Sequence, residues 1–164
     1  MPQTSFESLP RNSKVWVFAA DPELGEPLVR QLLAEVDDYL DSWTAHGAPL
    51  TCARDWRECR FLTVGVDQTA AHASGCSIDG LYRRLAAFEQ GAGISLLSKE
   101  RVFYRDESGT VRATTRETFS EISRSGDVSG DTPVFDTSVT TLEDWYTRFE
   151  IPASASWHSK LLSV

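Results

Sequence analysis

The apolar residues change period several times along the chain, and each change predicts an element. Residues 14–20 read Lys-Val-Trp-Val-Phe-Ala-Ala. This β-branched and aromatic run predicts a short strand buried on both faces. Asp21-Pro22-Glu23-Leu24-Gly25 turns the chain, and Pro27 fits only the first turn of a following helix. Leu28, Leu32, Leu33, Val36, Leu40 and Trp43 then recur at helical spacing, with Arg30, Glu35, Asp37 and Asp41 on the opposite face. That pattern predicts an amphipathic helix of about five turns, stopped by Gly47 and Pro49. Residues 50–56 and 60–66 read as two strands of a hairpin around the polar stretch 55–58. After a loop of small residues, Ile78, Leu81, Tyr82, Leu85 and Phe88 mark one face of a second helix, ended by Gly91 and Gly93. Residues 101–105 give a fourth strand.

The order is β-α-β-β-α-β, the split arrangement of ferredoxin-like folds. Both helices would cover one face of an antiparallel sheet, an α+β sandwich. The expectation is one domain, with a core at residues 14–105 and a C-terminal extension at 106–164 packed on it. In the extension, 106–109 reads as a turn and 110–113 as a return strand. Thr114-x-x-Glu117 and Thr140-x-x-Glu143 match capping boxes and predict two short helices. Residues 123–131 are polar and predicted mobile, and 132–139 are predicted as a further strand. Trp157, Leu161 and Leu162 predict that the tail docks on the body.

Composition narrows the function classes. With 164 residues the chain can bury a substantial core. A net charge of −8 argues against a general phosphate-backbone binder, so no nucleic-acid partner is expected. No apolar run has transmembrane length, and residues 1–14 lack the apolar centre of a signal peptide. Three cysteines, an odd number, fit free thiols in a reducing compartment. The expected location is therefore the cytoplasm, away from membranes.

The segment Ser74-Gly75-Cys76-Ser77-Ile78-Asp79 places a thiol, small residues and a carboxylate at the predicted start of the second helix. In the predicted topology the first helix ends, with Trp43 and His46, at the same edge where the second begins. A carbonyl-rich helix end favours imidazolium and an amide-rich end favours thiolate, each by about 0.3–1 kcal/mol when exposed. Together they would make an activated pair, with Cys76 as nucleophile or redox thiol and His46 as its base. His158, within Ser156-Trp157-His158, is a second candidate base if the tail folds back, and His72 a third. Asp79 would cap the helix or orient a histidine. Amides near Ser77 and Ile78 would hold an anionic or carbonyl oxygen. Trp43 and Trp157 would wall the pocket, with Ser74, Gly75 and Ser77 at its mouth. The structural alternatives are a half-buried thiol at Cys76, a permissive backbone at Gly75, capping hydroxyls at Ser74 and Ser77, and tryptophans that only pack.

Other chemistries leave no signature. Cys52, Cys59, Cys76 and the histidines match no zinc-module spacing, so neither metal nor cofactor is expected. A Cys52–Cys59 disulfide across the hairpin would require an oxidising compartment. Phosphate-binding loops and the nucleophile elbow are absent. A non-catalytic module, binding a small ligand or pairing an edge strand with another chain or a second copy in a homodimer, is the rival to the thiol enzyme.

Trp43-Thr44-Ala45-His46-Gly47-Ala48-Pro49-Leu50, Ala73-Ser74-Gly75-Cys76-Ser77-Ile78-Asp79 and Ser156-Trp157-His158 together resemble a small bacterial family. Its members are about this length and often carry the label "ABC transporter ATPase". The resemblance implies a bacterial cytosolic protein and supplies no mechanism. The label does not suit this chain, because ATP hydrolysis of that class needs a phosphate loop.

Overall fold

The structure is a computed structural model. It describes residues 4–45, 48–49, 51–68 and 75–163, with only the backbone described at 44, 45, 48, 49 and 75–77. The chain divides into two compact units, Met1–Leu97 with Thr140–Glu143, and Ser98–Val139 with Asp144–Val164. The division thus falls before residues 101–105, not after them as the sequence pattern suggests.

The first unit holds β1 (Lys14–Ala19), α1 (Leu28–Ser42), the two-residue strands β2 (Thr44–Ala45) and β3 (Ala48–Pro49), β4 (Cys52–Arg57), β5 (Phe61–Val66) and α2 (Gly75–Ala92). β1, β5 and β4 form a three-stranded sheet in that order, antiparallel throughout, and β2 pairs with β3. Every residue of β5 is buried, so both faces of this central strand are covered. Leu62, Val64 and Val66 join Phe18, Leu32, Val36, Leu40, Leu81 and Leu85 in one cluster beneath the helices. On the other face, Gly65 lets Phe6 and Leu9 close down on the strand. A methyl group there would lie 2.9 Å from Leu9 Cδ1 and 3.4 Å from Phe6 Cε1.

The β4–β5 hairpin turns through Glu58 and Cys59, both with positive φ (59° and 55°). Non-glycine residues in that region need outside support. It comes from Leu24 N–H, which donates to the Cys59 carbonyl at 2.8 Å, and Ala20 N–H, which donates to the Arg60 carbonyl at 2.7 Å. Cys52 and Cys59 stand at opposite ends of this hairpin, one buried and one exposed, and both are free thiols, so they do not pair.

Residues 101–105 do form a strand, but it does not join β1. In place of a fourth strand there are two isolated bridges among the described residues; just past the C-terminal end of β1, Ser95 and Asp21 exchange two 2.9 Å backbone hydrogen bonds. Gly93, at φ +69°, ends α2. The Glu89 carboxylate then accepts from the amides of Leu96 and Leu97 at 2.6 and 2.7 Å, fixing the return. The opposite end of β1 is bridged by Thr141, and Val15 N–H donates to the Thr140 carbonyl at 2.9 Å.

The second unit is built on β6 (Arg101–Arg105), β7 (Val111–Thr115), β8 (Pro133–Phe135) and β9 (Glu150–Pro152), in the order β7-β6-β8-β9, with α3 (Arg116–Arg124). α4 (Leu142–Arg148) begins among residues of the first unit and ends among those of the second. Among the described residues the molecule is therefore a mixed α+β chain with four α-helices. Val102, Phe119, Val128, Val134 and Ala153 form the second core, with Tyr104, Trp157, Leu161 and Leu162 packed against it. The tail docks as expected, and Ser163 N–H donates to Ser123 Oγ at 2.8 Å.

Several local expectations shift. Thr115, not Thr114, caps α3, accepting from Thr118 N–H at 3.0 Å, because β7 runs on to Thr115, opposite Arg101, before the helix starts. The amides of Leu142 and Glu143 donate to the Ser13 and Arg11 carbonyls, so backbone carbonyls take the role expected of a capping box at Thr140. The predicted strand at 132–139 shrinks to β8. The stretch at 123–131, predicted mobile, buries Val128 and turns tightly at Gly126 (φ +86°).

Filling the space above Gly65 should be costly. Gly65→Val is expected to destabilise the protein by about 1–3 kcal/mol, the range for overpacking a filled core. Leu9→Ala in the same chain should recover part of that loss, as read by urea denaturation.

Candidate functional site

Contacts between α1 and α2 fix the geometry of the candidate edge. Arg84 of α2 reaches Asp38 Oδ2 at 2.7 Å and Glu35 Oε2 at 3.3 Å on α1. One turn earlier in α2, Gly80 makes room for Tyr39, since a methyl group there would lie 2.8 Å from the phenol oxygen. Position numbers rise along α1 as they fall along α2, so the helices are antiparallel. The C-terminal end of α1 and the N-terminal turn of α2 therefore lie side by side, as the strand order requires. These pairs were not singled out in the sequence, although a glycine within an amphipathic helix is a signal of close approach.

At this edge the backbone of Gly75, Cys76 and Ser77 forms the first turn of an 18-residue helix with no acidic residue in that turn. Asp79 is exposed and lies in the following turn, beyond the third helical position where a reciprocal cap would sit. The side chains of Cys76 and Ser77, and residues His46, His72 and Ser74, lie outside what the structure describes. Trp43 closes the end of α1. It is 3% exposed, its ring lies 6.0 Å from Trp16 and 5.7 Å from Tyr39, and its buried Nε1 has no hydrogen-bond partner among the described residues. Its faces are spent on core packing rather than offered as a wall.

The other cysteines have distinct fates. Cys52 is buried, with Sγ 3.6 Å from the Leu40 carbonyl. Burial, with a smaller push from the Asp41 charge, raises its thiol to about 12, so it stays protonated and inert at neutral pH. Cys59 is exposed. Among the described residues, no group of three or more His, Cys, Asp or Glu side chains is placed to hold a metal ion. No helix among them is long and apolar enough to cross a membrane.

His158 belongs to the second unit and has no exposed surface. Its Nδ1 lies 2.7 Å from Ser156 Oγ, its ring stacks on Trp157 at 4.0 Å, and Phe119 meets it edge-on at 6.2 Å. Nε2 is buried with no partner among the described residues. Burial lowers its pKa to about 4, with Asp136 opposing and Arg116 adding to the fall. The ring is packed in the core of the second unit, and burial there favours its neutral form. Trp157 is likewise occupied, by His158 and by the Arg116 guanidinium 5.0 Å from its ring centre.

No protein-family model matches the chain, and no curated protein or solved structure does either. The site is therefore read from its own geometry.

His158 makes stability depend on pH in a defined direction. The unfolded chain takes up a proton near pH 6.5 and the folded chain only near 4, so stability is undiminished above 6.5 and falls as pH drops through that window. The loss approaches about 3 kcal/mol at its lower end. His158→Phe should flatten the pH dependence of urea-derived stability between pH 6.5 and 5. An unchanged slope would contradict this account.

Proposed function

We propose that the edge shared by α1 and α2 is a thiol site in a bacterial cytosolic protein. Cys76 acts there as nucleophile or redox thiol on a small anionic or carbonyl substrate. Acyl transfer, hydrolysis and thiol exchange are the reaction classes that use such a group. His46 serves as its base or thiolate partner, and the first-turn amides near Ser77 and Ile78 receive the developing oxyanion. The observation that carries this reading is the antiparallel pairing of Glu35, Asp38 and Tyr39 with Arg84 and Gly80. It supports bringing an amide-rich helix start beside a carbonyl-rich helix end. The absence of an acidic side chain from the first turn of α2 favours thiolate at the same place.

A ferredoxin-like ancestry of the first unit accords with this placement. The order β1-β5-β4 is three-quarters of that sheet, and the bridges of Thr141 to Lys14 in β1 and of Ser95 to Asp21 just beyond it lie on the side where a fourth strand would pair.

The indole N–H of Trp43 at this edge, unpaired among the described residues, favours a second reading. In it the edge is a non-catalytic module that binds a small oxygen-bearing ligand, and Cys76 is a packing residue.

Alkylation separates the two. In the Cys59→Ser protein, iodoacetamide should label Cys76 alone, with a rate midpoint well below the ordinary thiol value of about 8.5. Cys76→Ser should abolish labelling. His46→Ala should move the midpoint upward, while His158→Ala should leave it in place. A midpoint at the ordinary thiol value, or no labelling, would end the catalytic reading.

A further inference from the structure

Few hydrogen bonds tie the last residues to the rest of the second unit. Ala153 and Ser154 are pinned, their amides donating to the Thr132 and Gly130 carbonyls at 2.9 Å. Beyond them the backbone bonds close on the tail itself. Ser156 N–H donates to the Ala153 carbonyl, Ser159 N–H to that of Ser156, and Leu162 N–H to that of Ser159. Among the described residues, the hydrogen bonds from 156–163 to another element join Ser163 to Ser123 of α3, led by Ser163 N–H donating to Ser123 Oγ at 2.8 Å. Otherwise the tail is held by packing, with Trp157, Leu161 and Leu162 against the cluster around Phe119 and the Arg116 guanidinium over the Trp157 ring. Residues 156–163 belong to no sheet. They can lift about 154–156 without breaking a strand ladder.

We propose that this tail is an acid-operated latch, closed while the His158 ring is neutral and lifted locally when the ring takes up a proton. His158 sits at the middle of the latch with no exposed surface, between Trp157 and Phe119. Its Nδ1 partner, Ser156, is itself a tail residue, and Nε2 has no partner among the described residues. A charged ring there would be enclosed without a counter-ion, which is costly. Asp136, beyond β8, favours the charge. Its carboxylate is already engaged, accepting from Ser138 N–H and Oγ and lying 3.4 Å from an Arg148 nitrogen. Arg116 of α3 opposes the charge. Tyr104 of β6, in the same cluster, stays a neutral phenol because burial raises its pKa. The other charges on the surrounding elements are exposed: Glu117, Glu121 and Arg124 on α3, Asp127 and Asp131 before β8, and Lys160 on the tail. Lifting the tail brings the ring to water, where its proton is held without penalty, and uncovers Phe119. The closed ring protonates near pH 4 and the open ring near 6.5. The ratio of lifted to closed tail therefore rises about thirtyfold between pH 7.5 and 5. The latch lies in the second unit and is independent of the thiol edge.

Native-state hydrogen exchange of the full-length chain at pH 7.5 and 5, in water and in sub-denaturing urea, tests it. Rates are divided by the intrinsic exchange rate at each pH. The Ser159, Leu162 and Ser163 amides should open more readily than the β6 amides at both pH values and with almost no urea dependence, the mark of a local event. Their opening constant should rise about thirtyfold at the lower pH. His158→Phe, or His158→Gln where the larger ring overfills the site, should hold that ratio near one. Ser123→Ala removes the acceptor for Ser163 N–H. It should raise tail opening about fivefold at both pH values and leave the thirtyfold ratio intact. Tail and β6 amides sharing one urea-sensitive opening constant would show that the whole unit opens together and would overturn the latch. An acid response that persists in both His158 variants would overturn it as well.

Discussion

Burial of β5 on both faces is the constraint on which the first unit depends. A strand that hides all six of its residues needs cover above and below. On one face it receives two amphipathic helices, and on the other the N-terminal segment around Phe6 and Leu9. Removing apolar surface from water is the dominant favourable term in folding, and here it also dictates direction. Two helices on one side of a three-stranded antiparallel sheet, each following a strand of opposite sense, must themselves be antiparallel. Arg84 with Asp38 and Gly80 with Tyr39 then set the offset along the helix axes. The juxtaposition of helix ends follows from sheet topology, and the polar contacts refine it.

Much of this was legible in the residues. β1, α1, β5 and α2 announce themselves by periodicity, and the shared edge follows from their order alone. The destination of residues 101–105 was not legible. Arg-Val-Phe-Tyr-Arg alternates equally well for either sheet, and the hairpin with Val111–Thr115 together with the long-range pairing of Tyr104 with Val134 sends it away from β1. The cap of α3 slipped by one residue because Thr114 and Thr115 are chemically equivalent, and the length of the β7 ladder decides between them. The hairpin turn could not be read from Glu58 and Cys59, since neither residue prefers positive φ. The backbone amides of Ala20 and Leu24, donating to the carbonyls of Arg60 and Cys59, hold it.

His158 shows a different limit. Next to Trp157 and Ser156 in a short polar tail, it looked like a residue available for chemistry. Its surroundings come from α3 and the tail turn, elements far apart in sequence that close around the ring. A neutral imidazole with one bonded nitrogen is tolerable in such a site, whereas its charged form is not. The same residue type that could serve a thiolate becomes a sensor of acid once it is enclosed.

The piecewise cover on β1 bears on how the chain emerges during synthesis. Ser95 reaches that edge early, but Thr140 and Thr141 are made some 45 residues later. Until they leave the ribosome, the outer hydrogen-bonding groups of β1 near Lys14 and Val15 have no intramolecular partner. An uncovered strand edge is a template for pairing with other chains. The nascent protein therefore passes through a stage at which its first unit is nearly built yet still adhesive, and the late arrival of a two-residue patch ends it.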